Sequence, residues 1–178
     1  MMRIKSLWLG LFLLAGACGA DDKGDSGAAD SGGGAGGDAG GGADGVCESD
    51  SWWTGGNQES PRMHPGVDCI ACHESSHEGP AYTVAGTVFT DYDEPDDCNG
   101  REGVVVEVTD AAGDVWTETT NSAGNFFFRD SALQFPIRAR VIDGVDVREM
   151  SQEVTTGACG SCHTSDGEEG APGRVIAP

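Results

Sequence analysis

The sequence predicts a mainly β fold, in which one β-sandwich is flanked by two loop or short-helix segments and preceded by a disordered Gly-rich tether. Between residues 81 and 150, short apolar runs alternate with polar residues and are separated by Gly- and Asp-containing turns. The five-residue pattern C-x-x-C-H occurs once on each side of this stretch. Residues 24–45 consist almost entirely of Gly, Ala, Ser and Asp, a composition that cannot bury apolar surface.

The strands are predicted from alternation with a period of two residues. Val104, Val106 and Val108, for example, alternate with Val105 and Glu107. Turn sequences at 110–113, 121–124 and 143–144 separate the runs. The predicted strands are 82–90, 104–109, 114–119, 125–129, 135–142 and 145–150. Short strands at this spacing are typical of a β-sandwich, which we place at 81–150.

The first 17 residues have the pattern of an export signal. Arg3 and Lys5 precede an apolar run at 7–14 that is too short to span a bilayer. The run 14–18, Leu-Ala-Gly-Ala-Cys, resembles the lipobox of bacterial lipoproteins, although Ala15 stands where that family usually has Leu. The resemblance implies that Cys18 is lipidated and becomes the mature N-terminus. The alternative is ordinary cleavage nearby, which would leave Cys18 as a free thiol.

Residues 18–46 are therefore predicted to be a lipidated cysteine followed by a disordered linker. Gly19, rather than Asp, follows the cysteine, and this resembles lipoproteins of the outer membrane. We expect an exported protein on the periplasmic or cell-surface side, attached to the membrane through its lipid alone. The chain has 30 acidic and 10 basic side chains, a formal net charge of −20. This charge argues against binding to nucleic acid.

The cysteines predict two covalently attached c-type haems. Residues 69–73 and 159–163 both have the pattern C-x-x-C-H, within the segments 47–80 and 151–178. Two thiols separated by two residues can reach both vinyl groups of one haem, and the adjacent histidine can then bind the iron. The predicted attachment residues are Cys69, Cys72, Cys159 and Cys162, and the predicted proximal ligands are His73 and His163.

Two other interpretations of the four motif cysteines remain open. Two C-x-x-C pairs can form one tetrahedral zinc site, although a histidine after each pair is not needed for it. The four cysteines can also form two disulfides. Once Cys18 and the motif cysteines are assigned, Cys47 and Cys98 are left over, and we expect them to pair in an oxidising compartment.

The sixth iron ligands are predicted from side chains near the motifs. His64 is the first candidate distal ligand, and Met150 and Met63 are the others. His77 lies four residues after His73, so on a helix both would project from one face and His77 would have to reach the other haem. Arg62 and Arg174 are candidates for pairing with haem propionates.

Residues 84–142 resemble the carboxypeptidase-regulatory-like, or transthyretin-like, domain. The resemblance lies at 85–88 (Ala-Gly-Thr-Val), at 103–108 and at the turn 121–126. It implies an Ig-like, seven-stranded scaffold without catalysis. The whole layout, with 63–66 before the first motif and 170–174 after the second, resembles di-haem c-type cytochrome lipoproteins.

We therefore expect a surface-anchored electron carrier rather than an enzyme, with its two haems together at one end of the sandwich. Its partners would be redox proteins, above all other cytochromes, and self-assembly stays open. One alternative is a di-haem peroxidase, for which the sequence has no matching acid and base residues. Another is a non-redox surface or interaction lipoprotein whose C-x-x-C pairs bind zinc or form disulfides.

Overall fold

The structure, a computed structural model, describes residues 47, 49–55, 60–77 and 79–178. The predicted signal peptide, Cys18 and the Gly-rich linker lie outside these residues. Among the residues that are described, no helix has the length and apolar character needed to cross a membrane.

The described chain forms two sheets and two short helices. The helices are α1 (Cys69–Ser76) and α2 (Cys159–Cys162). The strands are β1 (Val84–Phe89), β2 (Val105–Thr109), β3 (Val115–Thr119), β4 (Asn125–Phe128), β5 (Arg138–Asp143), β6 (Asp146–Glu149) and β7 (Val175–Ile176). One sheet has the order β4-β1-β7 and the other has the order β3-β2-β5-β6. The prediction of a mainly β, two-sheet fold is confirmed, and each of the six predicted strands corresponds to an observed one.

Strand β7 was missed by the sequence analysis. It pairs in parallel with the end of β1, with Val88 opposite Val175 and Phe89 opposite Ile176. Two residues are too few to produce a detectable alternation, and the pairing depends on a partner nearly 90 residues earlier. The sandwich therefore takes its last strand from the segment 151–178, beyond the predicted boundary at residue 150.

Strand β5 begins later than predicted, at Arg138 rather than at residue 135. Pro136 has no N–H to donate to a sheet ladder, so regular pairing cannot extend through it. Ile137 instead forms an isolated bridge with Val154.

The core lies between the two sheets. Val84, Val88 and Phe126 from the three-stranded sheet pack with Val106 and Val141 from the four-stranded sheet. All six residues of β1 are buried, although a strand that covers a core on one side normally alternates. A second layer of chain therefore covers the outer face of β1, and this layer carries the first motif.

Three contacts attach that outer layer to the three-stranded sheet. Gly66 donates its N–H to the Thr87 hydroxyl at 2.9 Å, and the Asn125 side-chain amide donates to the Met63 carbonyl at 2.9 Å. Phe89 packs against Cys47 and Cys98.

Candidate functional site

The first motif occupies helix α1. The Asp68 carboxylate caps the helix by accepting the N–H groups of Ile70 (3.1 Å) and Ala71 (3.0 Å). Cys69, Cys72 and His73 thus lie within about one and a half turns of one helix. The helix ends at Ser76, and His77 is an exposed C-cap residue with φ 57°. His77 is therefore not positioned as a helical neighbour of His73.

The second motif occupies the single turn α2, and His163 closes it by donating its N–H to the Cys159 carbonyl at 2.9 Å. Just before this turn, Ala85 of β1 donates its N–H to the Gly157 carbonyl at 2.9 Å. After the motif, β7 pairs with the other end of β1. The second motif is therefore a loop held at both ends by one strand.

The two motifs, about 90 residues apart in sequence, are neighbours in space. A Cβ atom on Gly86 would lie 2.8 Å from the Cβ of Cys159, so only glycine leaves room for the second motif on β1. A Cβ atom on Gly160 would lie 2.9 Å from the Val67 carbonyl and 3.1 Å from Asp68, directly before the first motif. Both helices contact β1, in keeping with the expectation that the motifs come together.

The two motif histidines share one hydrogen-bonding arrangement. His73 Nδ1 lies 3.0 Å from the Pro80 carbonyl, and His163 Nδ1 lies 2.8 Å from the Gly173 carbonyl. A carbonyl oxygen can only accept, so Nδ1 must carry the proton in both rings. In a neutral imidazole this leaves the Nε2 lone pair available. Metal-binding histidines typically have their other nitrogen held in this way.

The thiols of Cys69 and Cys159 are protonated at neutral pH. Burial raises the pKa of Cys69 to about 11, and the Asp68 charge adds to this effect. Burial likewise raises the pKa of Cys159 to about 12, with further repulsion from Cys69 and Asp68. Cys72 is disulfide-bonded, so its thiol would have to be released by reduction before it could add to a haem vinyl group.

A cavity of about 360 Å³ opens beside the second motif. Its walls come from both sheets, and its lining includes Cys159, Cys162, His163 and Met150. This volume is in the range of small-molecule and cofactor sites. The structure thus places Met150, one of the predicted distal ligands, in the same cavity as the second motif.

The space beside the first motif is much smaller, about 20 Å³. Met63 lines it together with Cys69, His73 and Tyr82. A volume of this size accommodates about one water molecule. A haem at the first motif would therefore lie over the surface or require the chain near Met63 to move.

His64 lines neither cavity, but its ring has the arrangement of a metal ligand. Its Nδ1 lies 3.0 Å from the Asp97 carboxylate, and its Nε2 is buried without a hydrogen-bond partner among the described residues. The backbone of His64 is in the left-handed region, with φ 42°. A buried nitrogen lone pair without a partner is costly, and a metal ion is one group that would satisfy it.

The surroundings of Arg174 argue against the expectation that it pairs with a haem propionate, because its guanidinium is already satisfied within the protein. The Arg174 side chain is 1% exposed, and its guanidinium forms an ion pair with Asp96. It also donates to the carbonyls of Glu94 (2.9 Å), Gly66 (3.0 Å) and His163 (3.4 Å). Arg174 therefore joins the chain before the first motif to the second motif, a role that the sequence did not indicate. Arg62 is exposed and donates to the Ser122 hydroxyl at 3.4 Å.

Cys47 and Cys98 form a disulfide with a Cα–Cα distance of 5.7 Å, as expected for the two leftover cysteines. We looked in the described chain for three or more His, Cys, Asp or Glu side chains whose ligand atoms all lie within 4.8 Å of one another. The one such group consists of these two cysteines and the buried Glu94. The four motif cysteines do not form such a group there, so a shared zinc site would require the two segments to shift.

We compared the chain with protein-family models, curated proteins and solved structures, and none of them matches it.

Proposed function

We propose that this protein is a di-haem c-type cytochrome that carries electrons in the cell envelope. One observation carries the proposal: in both C-x-x-C-H motifs, the imidazole Nδ1 donates to a backbone carbonyl and leaves Nε2 free to bind iron. The two carbonyls belong to Pro80 and Gly173, seven and ten residues after the respective histidines. The same hydrogen bond thus occurs in two separate parts of the chain, which supports the same role for both histidines.

When bound, each haem would supply an iron that gains or loses one electron. The protein's own residues would hold and orient it. Cys69, Cys72, Cys159 and Cys162 would form the thioether links, and His73 and His163 would bind the iron from one side. Met150 lines the cavity of the second motif and His64 has a buried, unpartnered nitrogen, which supports both as distal ligands.

The neighbouring positions of the two motifs favour exchange of electrons between the haems. We also assign the sandwich to the Ig-like, transthyretin-like class on the basis of its seven strands, three in one sheet and four in the other. Attachment to the outer membrane through lipid on Cys18 is part of the proposal and rests on the sequence alone. Since the chain has a net charge of −20, we expect redox partners with basic docking surfaces.

The second candidate function is a non-redox surface or interaction module. One observation favours it: Cys72 is disulfide-bonded and in that state cannot attach a haem, although Cys69, Cys159 and Cys162 are free thiols. In that case the protein would contain neither haem nor a visible absorption band, and its sandwich would be the functional part.

Intact mass of the exported protein, produced together with a haem-attachment system, distinguishes the two candidates. We expect a mass above that of the polypeptide by two haems, and a positive haem stain on a denaturing gel. Cys69→Ala with Cys72→Ala should remove one haem, and Cys159→Ala with Cys162→Ala should remove the other.

Cys47→Ser with Cys98→Ser is the matched control, because it also removes two cysteines but should retain both haems. A mass equal to that of the polypeptide alone, or one zinc ion per chain without haem, would contradict the proposal.

A further inference from the structure

Some of the described arginines have no described Asp or Glu within ion-pair distance. Arg101, Arg138, Arg140 and Arg174 each have an Asp or Glu oxygen within 4.0 Å. Arg62, Arg129 and Arg148 have none among the described residues. The chain has three times as many acidic as basic groups, so the surroundings of an arginine that no described acid neutralises indicate what it could bind.

Arg148 lies at the cavity of the second motif. It is on β6, opposite Val141 of β5, and both residues line the cavity. Its Nη1 donates to the Tyr92 hydroxyl at 3.0 Å, and its guanidinium carbon lies 5.9 Å from the centre of the Tyr92 ring. The tyrosine thus holds the guanidinium at the wall of the cavity without neutralising its charge.

The rest of the cavity lining consists of apolar and charged side chains. Its apolar lining includes Val106, Phe126, Ala139, Val141, Val154 and Val175. Most of its charged groups are already paired, Arg140 with Glu107, Glu149 with Arg138, and Arg174 with Asp96. Glu169, the remaining acid, lies 3.8 Å from the Cys162 sulfur. An apolar cavity with one unneutralised cation fits a flat apolar ligand that carries carboxylates on one edge.

We propose that Arg148, supported by Tyr92, is the carboxylate-binding group for the propionates of the haem attached at Cys159 and Cys162. This inference rests on the proposed function. It assigns the propionates to Arg148 instead of Arg174, because only Nη1 of Arg148 donates to a described residue. A guanidinium binds a carboxylate through charge-assisted hydrogen bonds, which are among the stronger ones in proteins. A positive charge near the haem also disfavours ferric relative to ferrous iron and therefore raises the reduction potential.

The test is spectroelectrochemical titration of the matured di-haem protein and of three variants. Arg148→Gln should lower one of the two midpoint potentials and leave the other in place. Arg148→Lys retains the charge and should stay closer to the wild-type value. Tyr92→Phe should shift the same potential less than Arg148→Gln, since it removes only the hydroxyl that holds the guanidinium. The affected potential should be the one that is missing in the Cys159→Ala, Cys162→Ala protein.

Arg101→Gln is the matched control, because Arg101 is also an exposed arginine, but it pairs with Asp143 and neither residue lines the cavity. Its potentials should equal those of the wild type. If Arg148→Gln retains two haems at unchanged potentials, or if Arg101→Gln lowers them equally, the assignment of Arg148 is wrong while the proposed function stands. Wild-type protein without haem would overturn both.

Discussion

At the scale of single residues, three histidines share one arrangement, in which Nδ1 forms a hydrogen bond to an oxygen and Nε2 does not form one within the described chain. His73 and His163 donate from Nδ1 to carbonyl oxygens, and His64 pairs through Nδ1 with the Asp97 carboxylate. The first two hydrogen bonds go to carbonyls seven and ten residues after their histidines. The third depends on a contact across 33 residues, which no local pattern in the sequence encodes.

This arrangement predicts the effect of removing the His64 ring. If His64 is the distal ligand of one haem, His64→Ala should convert that haem from a six-coordinate, low-spin form to a high-spin form. Asp97→Asn should have a smaller effect, because the amide oxygen can still accept from Nδ1 but lacks the charge that makes the imidazole a stronger ligand. Visible absorption and electron paramagnetic resonance spectra would measure both changes.

His77→Ala is the control, since His77 is exposed at the end of α1 and should not alter either spectrum. Met150→Leu, which removes the thioether at similar volume, should change the other haem. Wild-type spectra in both His64→Ala and Met150→Leu would mean that neither residue binds iron. High-spin, peroxide-reactive iron at both motifs of the unaltered protein would instead favour a peroxidase.

At the scale of elements, strand β1 organises the site. Its inner face contributes Val84 and Val88 to the core, while its other face and its edge receive the two motif segments. Gly86 is critical because a side chain there would reach Cys159 on one side and, at 3.1 Å, the Phe126 ring on the other. The local sequence is compatible with any small residue in this strand, and only the packed second motif makes glycine necessary.

We therefore expect Gly86→Ala to impair haem attachment at the second motif. Moving Cys159 or Phe126 to admit a methyl group should cost about 1–3 kcal/mol of unfolding free energy. Intact mass should show a fraction of chains with one haem, and the remaining haem should map to the peptide that contains Cys69.

Gly113→Ala is a control of similar cost. Gly113 has φ 84° and open space around it, so alanine there is strained by about 1–2 kcal/mol without touching the site. Both variants should unfold at lower temperature, but only Gly86→Ala should lose haem. Full occupancy in Gly86→Ala would show that the close approach of Cys159 to β1 does not matter for attachment.

At the scale of the whole molecule, two long-range links hold the outer layer on the sandwich. Arg174 connects the chain at Gly66, Glu94 and Asp96 with the second motif. The Cys47–Cys98 disulfide connects residues separated by 51 positions and encloses the first motif in a covalent loop. Both links are buried beside Phe89, whose ring lies 5.2 Å below the Arg174 guanidinium.

Loss of the disulfide should lower the unfolding free energy, while both haems should remain attached. Cys47→Ser with Cys98→Ser should lower the unfolding free energy by about 2–4 kcal/mol, because the unfolded chain regains the freedom of the loop. Urea unfolding followed by tryptophan fluorescence measures this difference. Equal stability of the variant and the wild type, or two free thiols in the unreduced wild type, would contradict the cross-link.

The sequence by itself determined the local features of this protein. Alternation with a period of two located the strands, and the C-x-x-C-H spacing defined both motifs because their chemistry depends on five consecutive residues. The Cys47–Cys98 pair could be expected because few cysteines remained.

Only the tertiary structure decided which distant residues meet. It paired β7 with β1, and β7 is too short to be recognised from the sequence alone. It also placed Met150, but not His64, in the cavity of the second motif. It also buried Arg174 among carbonyls and, within the described part of the chain, placed no acid beside Arg148. Pairings of this kind depend on how the two sheets and their outer layer pack, and that packing sums many weak contacts between residues far apart in the chain.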